Sequence, residues 1–187
     1  MRKSFENGQI TYAQKRKRQI FELAVFPMLG AIMFCSKLLM EFLPNIHIIG
    51  MLIMVYTVVF RWKALIPIYI FVFLTGLYAG FGFWWLPYLY IWAILWAVTM
   101  LLPKNMPRAA AFVVYPIVCG VHGILFGVLY APTQALMFGF DFKMTCAWIA
   151  SGFYFDLIHG IGNVIFGTFV YPLSLLFKKL LKKQFNG

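Results

Sequence analysis

Long apolar runs separated by short polar breaks dominate the chain, and the spacing of the breaks predicts helices that cross a bilayer. Such a helix needs about 20 mostly apolar residues at 1.5 Å rise each. The first run, Ile20 to Leu43, stops at Pro44 and Asn45, a turn signal. The second, Ile46 to Phe60, is short and gives way to "RWK" (Arg61, Trp62, Lys63). A third covers Ala64 to Gly80, with Pro67 tolerated in its first turns, and "GFGF" reads as a loop. A fourth covers Trp84 to Leu102, "PKNMPR" turns the chain, and a fifth covers Ala109 to Tyr130. The stretch "APTQALMFGFDFK" reads as a mildly polar connection. The last run starts near Thr145; carried to Phe177 it would measure roughly 48 Å against a hydrocarbon core of about 30 Å, so Pro172 is expected to end it. The expected fold is all-α: six transmembrane helices in one bundle over 20–177, between basic tails at 1–19 and 178–187. The second tail spaces leucines and lysines as a helix lying in the membrane interface does.

Composition agrees with the pattern. With 187 residues, 63% hydrophobic and 20% aromatic, and a mean hydropathy of +0.85, the chain is too apolar for an ordinary soluble core. The net charge of +11 raises nucleic acid as a partner. However, the basic residues cluster at the ends and in short loops instead of interleaving with aromatics on one face. Six spans place both tails, "RWK" and "PKNMPR" on one side, leaving only Lys37 and Lys143 toward the other. That bias fits cytoplasmic termini. Cys35, Cys119 and Cys146 lie in separate apolar runs without CxxC spacing, so neither a disulfide framework nor a zinc site is indicated. The first run lacks a small-x-small cleavage site and is expected to be retained. No tandem or inverted repeat is evident.

Against this background "DLIHGIGN" (156–163) stands out. At 100° per residue Asp156, His159 and Asn163 share one helix face, with Gly152 and Gly167 on the same stripe. An ionisable group facing lipid costs roughly 2.5–3.5 kcal/mol or more, so the stripe points into the bundle. It is either a ligand or ion site or a hydrogen-bonded trio that fixes helix packing. On the fifth run Tyr115, Cys119, His122 and Phe126 share a face, and His122 meets the stripe if the two helices are neighbours. On the fourth, Trp85, Tyr88, Trp92 and Trp96 share a face with Trp84 beside them. An interfacial belt explains the outer pair but not Trp92. His47, Gln134 and Asp141 are loop candidates, and Lys37 with Glu41 has the spacing of a helical ion pair. Ala24, Pro27, Met28, Ala31 and Cys35 form a stripe of mainly small residues on which another helix can pack closely, within the chain or in a second subunit.

These features together resemble the substrate-binding S component of an energy-coupling factor (ECF) transporter. The resemblance rests on chain length, six spans, cytoplasmic ends, and the segments "LPNIHIIGMLIMVYTVVFRWKALIPIYIFVFLTGLYAGF", "WWLPYLYIWAILWAVTMLLPKNMP" and "FDLIHGIGN". It implies a non-enzymatic receptor for a vitamin or related micronutrient in a bacterial plasma membrane, with the ligand held near the outer face. It also implies partners: a transmembrane coupling subunit and two cytoplasmic ATPases. By position the ligand contacts fall on Asn45 and His47, on Trp84, Trp85, Tyr88 and Trp92, and on Asp156, His159 and Asn163. The small-residue stripe of the first helix becomes the docking face, although Pro27 and Cys35 stand where the family often has alanine. Riboflavin, thiamine, pyridoxine, a cobalamin fragment, a modified nucleobase or a tetrapyrrole would suit such a site alike.

Three rivals remain. His122 and His159 on two helices are placed to ligate haem axially, in a cytochrome or with haem as cargo. An intramembrane hydrolase would use Ser151. Ser151 and His159 lie about 12 Å apart along one helix, so only His122 remains as its base. A stand-alone secondary transporter would show more spans or an inverted repeat. No Walker motif occurs, so any use of ATP belongs to partners.

Overall fold

The computed structural model describes residues 12–186, and among these the regular structure is all helix, with no strand. Eight α-helices follow in order: α1 Tyr12–Leu39, α2 Ile49–Phe60, α3 Leu65–Ala79, α4 Tyr88–Leu101, α5 Arg108–Ile124, α6 Phe126–Phe138, α7 Phe142–Gly167 and α8 Val170–Asn186. Single 3-10 turns stand at Arg61–Ala64 and Phe83–Trp85. The first eleven residues of the expected N-terminal tail lie outside the described residues; the rest of that tail is already the start of α1.

Five helical runs are long and apolar enough to cross a membrane, the longest being Ile49–Ala79 and Arg108–Phe138. The first of these doubles back. His47, just before α2, and Phe71, within α3, both lie against Trp92, at ring-centroid distances of 6.2 and 6.1 Å. A straight helix would separate residues 24 apart by about 36 Å. The corner is Arg61, whose backbone takes φ 57°. Its Nη2 donates to the Met100 carbonyl at 2.7 Å, and its own carbonyl accepts from Trp96 Nε1 at 3.2 Å. Lys63 closes the corner on α1 through Glu22, at 2.6 Å.

Two expected boundaries change. The connection expected over 131–143 is mostly helix: α6 runs to Phe138, ends on left-handed Gly139 (φ 67°), and Asp141 then caps α7 by accepting from the Met144 amide at 2.7 Å. Pro132 stands inside α6, where it lacks the amide that would bond the Val128 carbonyl, and the helix continues past it. The next carbonyl, of Leu129, accepts from Tyr90 Oη at 2.7 Å. At the other end, the chain breaks after Gly167 and Pro172 sits in the first turn of α8. That proline starts a helix instead of ending one, as its fixed φ allows. The C-terminal tail therefore continues a helix that begins at Val170.

Packing follows side-chain size. α5 and α7 touch through glycines: a Cβ on Gly123 would lie 2.9 Å from the Gly160 Cα, and one on Gly167 would lie 2.6 Å from the Pro116 Cα. Gly30 brings α1 onto α3 the same way, 3.0 Å from the Pro67 carbonyl. Polar groups inside bond their own helices: Thr57, Thr75 and Thr99 are buried and donate to the carbonyls of Ile53, Phe71 and Leu95. Large apolar side chains such as Phe73, Leu77, Ile117, Phe153 and Ile161 face outward. This inverted pattern is that of a membrane protein. The described ends lie together, with Phe21 on Phe185 at 5.1 Å and Lys17 donating to the Gln184 carbonyl at 3.3 Å.

Candidate functional site

All three histidines of the chain meet at one place. His47 and His159 rings lie 4.7 Å apart, and Phe126 packs against His159 at 5.0 Å and against His122 at 6.3 Å. Trp92 completes the ring set, 5.8 Å from His122 and 5.6 Å from Phe126. Four elements contribute: α4 brings Trp92, α5 His122, α6 Phe126, and α7 His159 and Asn163. His47 comes from the segment between α1 and α2. That segment descends from the end of α1 into the bundle, so that Gly50, in the first turn of α2, already sits beside Asn163 and Cys119.

Six buried polar atoms of this cluster have no hydrogen-bond partner within the protein: His47 Nδ1, Trp92 Nε1, His122 Nδ1, His159 Nε2 and both amide atoms of Asn163. Each costs about 1–3 kcal/mol if it stays unpaired. Elsewhere among the described residues only Arg61 Nε and Ser174 Oγ share this state, so the unpaired groups are concentrated here. One tautomer is fixed by chemistry. His122 Nε2 lies 3.1 Å from the Ile91 carbonyl, which only accepts, so Nε2 holds the hydrogen and Nδ1 presents a lone pair.

Asp156 has another task. Both its carboxylate oxygens accept from the Gly127 amide, each at 3.1 Å, at the point where α5 breaks and α6 begins. The break at Leu125 leaves amides of the new helix without partners, and a carboxylate at a helix N-terminus answers both the missing bonds and the helix dipole. A side chain on Gly127 would collide with that carboxylate. Asp156 thus sits one turn from His159 on α7, as its spacing predicts, but its partner is backbone. Gly167 packs closely as described, whereas Gly152 has no atom within 4 Å of a would-be Cβ.

The aromatic face of α4 divides. Trp84, Tyr88 and Trp92 form a ladder with ring distances of 5.8 and 5.5 Å. Lys37 lies over the Tyr88 ring at 5.1 Å and approaches its hydroxyl at 3.5 Å. Trp84, Lys37 and Glu41 line a cavity of about 140 Å³ at the far end of this ladder from the histidines. Trp85, expected on the same wall, turns to α3, where its Nε1 donates to the Val72 carbonyl at 2.8 Å. Trp96 is spent on the Arg61 corner. Asn45 is exposed in a turn with φ 58°, two residues from His47 but outside the cluster. Gln134 lies within α6.

The α1 stripe faces outward. Ala24, Pro27, Met28 and Cys35 are exposed and Ala31 is half-buried, while Gly30 makes the close internal contact. Ser151 is exposed and donates to the Trp148 carbonyl of its own helix at 2.8 Å. Phe71 and Gly50 line the cluster without having been singled out from sequence, whereas Phe126 joins it as its shared face with His122 suggested. The α5/α6 break had no such signal. Among the described residues, no three His, Cys, Asp or Glu side chains are disposed to hold a metal ion. No family model, no curated protein and no solved structure matches the chain.

Proposed function

We propose that this chain is a membrane-embedded capture subunit for a small micronutrient, working as the S component of an ECF-type importer. The observation that carries the reading is the convergence of six unpartnered polar atoms from His47, Trp92, His122, His159 and Asn163 within an aromatic enclosure. The cluster offers donors and acceptors but no fixed charge, since the one nearby carboxylate is engaged with the Gly127 amide. It suits a neutral, flat molecule with a hydrogen-bonding edge, stacked on Trp92 and Phe126. His47 arrives on a non-helical segment whose outer part, 41–45, is exposed, so this is the wall that parts to admit the ligand.

In this reading six spans cross the membrane and the end where α1 meets α8 faces the cytoplasm, as the positive charge there favours. The outward stripe of Ala24, Pro27, Met28, Ala31 and Cys35 meets the coupling subunit, and two ATPases supply the energy. Haem between His122 and His159 fits less well, because Phe126 touches both imidazoles and would have to leave. Uptake of labelled micronutrients into cells expressing the chain with and without an ECF coupling module tests the assignment. Accumulation that requires both supports it; accumulation by the chain alone points to a secondary transporter and overturns it.

A further inference from the structure

The end of the bundle where α1 and α8 meet carries a cleft of about 930 Å³, far from the histidines. Lys17, Arg18, Arg61, Lys63, Lys104 and Lys182 line it, against the single carboxylate of Glu22. Glu22 is already used: Arg18 reaches it at 3.2 Å and Lys63 at 2.6 Å. Among the described residues Lys104 and Lys182 have no ion-pair partner. Arg61 is held in place by its left-handed backbone and its bond to the Met100 carbonyl, yet its buried Nε has no acceptor. Phe21, Phe60, Phe185 and Leu181 contribute apolar surface to the lining. At the rim Trp62 is 63% exposed, with the Lys63 ammonium 5.7 Å from its ring centre, an arrangement suited to a membrane interface.

We infer that this cleft binds the phosphate headgroup of an acidic glycerophospholipid, whose acyl chains run onto the adjoining apolar helix faces. An excess of cations with little competing carboxylate calls for phosphate, and basic pockets between membrane helices are recognised sites for acidic headgroups. The apolar lining and the exposed tryptophan favour a ligand that continues into lipid over a soluble anion. Cleft volume lies within the range of ordinary ligand sites. The inference depends on the chain residing in a membrane, not on the capture reading, and stands if that reading fails.

Native mass spectrometry of the delipidated full chain tests it, titrating phosphatidylglycerol, phosphatidylcholine with the same acyl chains, and inorganic phosphate. Phosphatidylglycerol is expected to bind at least about tenfold tighter than phosphatidylcholine. Since each cation near an acidic surface contributes about a factor of five, Lys104→Gln with Lys182→Gln should weaken phosphatidylglycerol about 30-fold. If that double variant fails to fold, Lys182→Gln alone, at an exposed position, should cost about fivefold. Lys179→Gln with Lys183→Gln removes the same charge outside the cleft and should leave affinity within about twofold. Equal weakening by both double variants, or equal affinity for the two lipids, overturns the site. Inorganic phosphate binding as tightly as phosphatidylglycerol overturns the lipid assignment.

Discussion

Two glycines that look alike in sequence should respond to alanine in opposite directions. At Gly123 a new Cβ would lie 2.7 Å from Asn163 Nδ2 and 2.9 Å from the Gly160 Cα, while ordinary contact starts at 3.4 Å. The amide can turn aside, but the α7 backbone cannot, so the two helices must separate by about 0.5 Å at their tightest contact. Overpacking of this kind costs about 1–3 kcal/mol, offset by about 0.5–1 kcal/mol from the better helix propensity of alanine. Gly123→Ala should therefore destabilise by about 1–2 kcal/mol. Gly152→Ala meets no atom within 4 Å and keeps only the propensity gain, about 0.5–1 kcal/mol. Equilibrium unfolding of the purified variants in mixed micelles should separate them by about 1.5–3 kcal/mol. Shifts of the same sign, or a Gly123→Ala variant as stable as the parent, would refute the glycine-mediated contact of α5 with α7.

Further outcomes follow from the site. Trp92→Ala should abolish ligand retention while Trp85→Ala, which loses the bond to the Val72 carbonyl, lowers stability and leaves retention intact; the reverse pattern in a retention assay would reassign the wall. Ala31→Trp, placed on the outward stripe of α1, should leave folding and ligand retention unchanged but block coupled uptake. Normal uptake in that variant removes the docking face.

Much of this arrangement was legible in the chain because it depends on local spacing. The spacing placed Tyr88 and Trp92 on one face, although with Trp85 and Trp96 where the ladder takes Trp84, and intervals of three and four aligned Asp156, His159 and Asn163. Apolar runs gave the helices and their order. What escaped was set by contacts between elements. Nothing local says that the segment carrying His47 descends into the bundle, that α5 breaks at Leu125, or that Asp156 reaches the amide exposed by that break. Trp85 is one residue from Trp84, yet a carbonyl on α3 draws it to the other side. Within the segment 131–143, Pro132 lies inside α6 and only Gly139, at φ 67°, ends it.

Native mass spectrometry of the detergent-purified chain bears most directly on whether the three-histidine cluster receives a ligand. The expected result is one small neutral heteroaromatic molecule per chain, retained in Trp85→Ala and lost in His159→Ala and Asn163→Ala. A folded chain that carries no such molecule and takes none from a panel of heteroaromatic micronutrients would contradict the capture function.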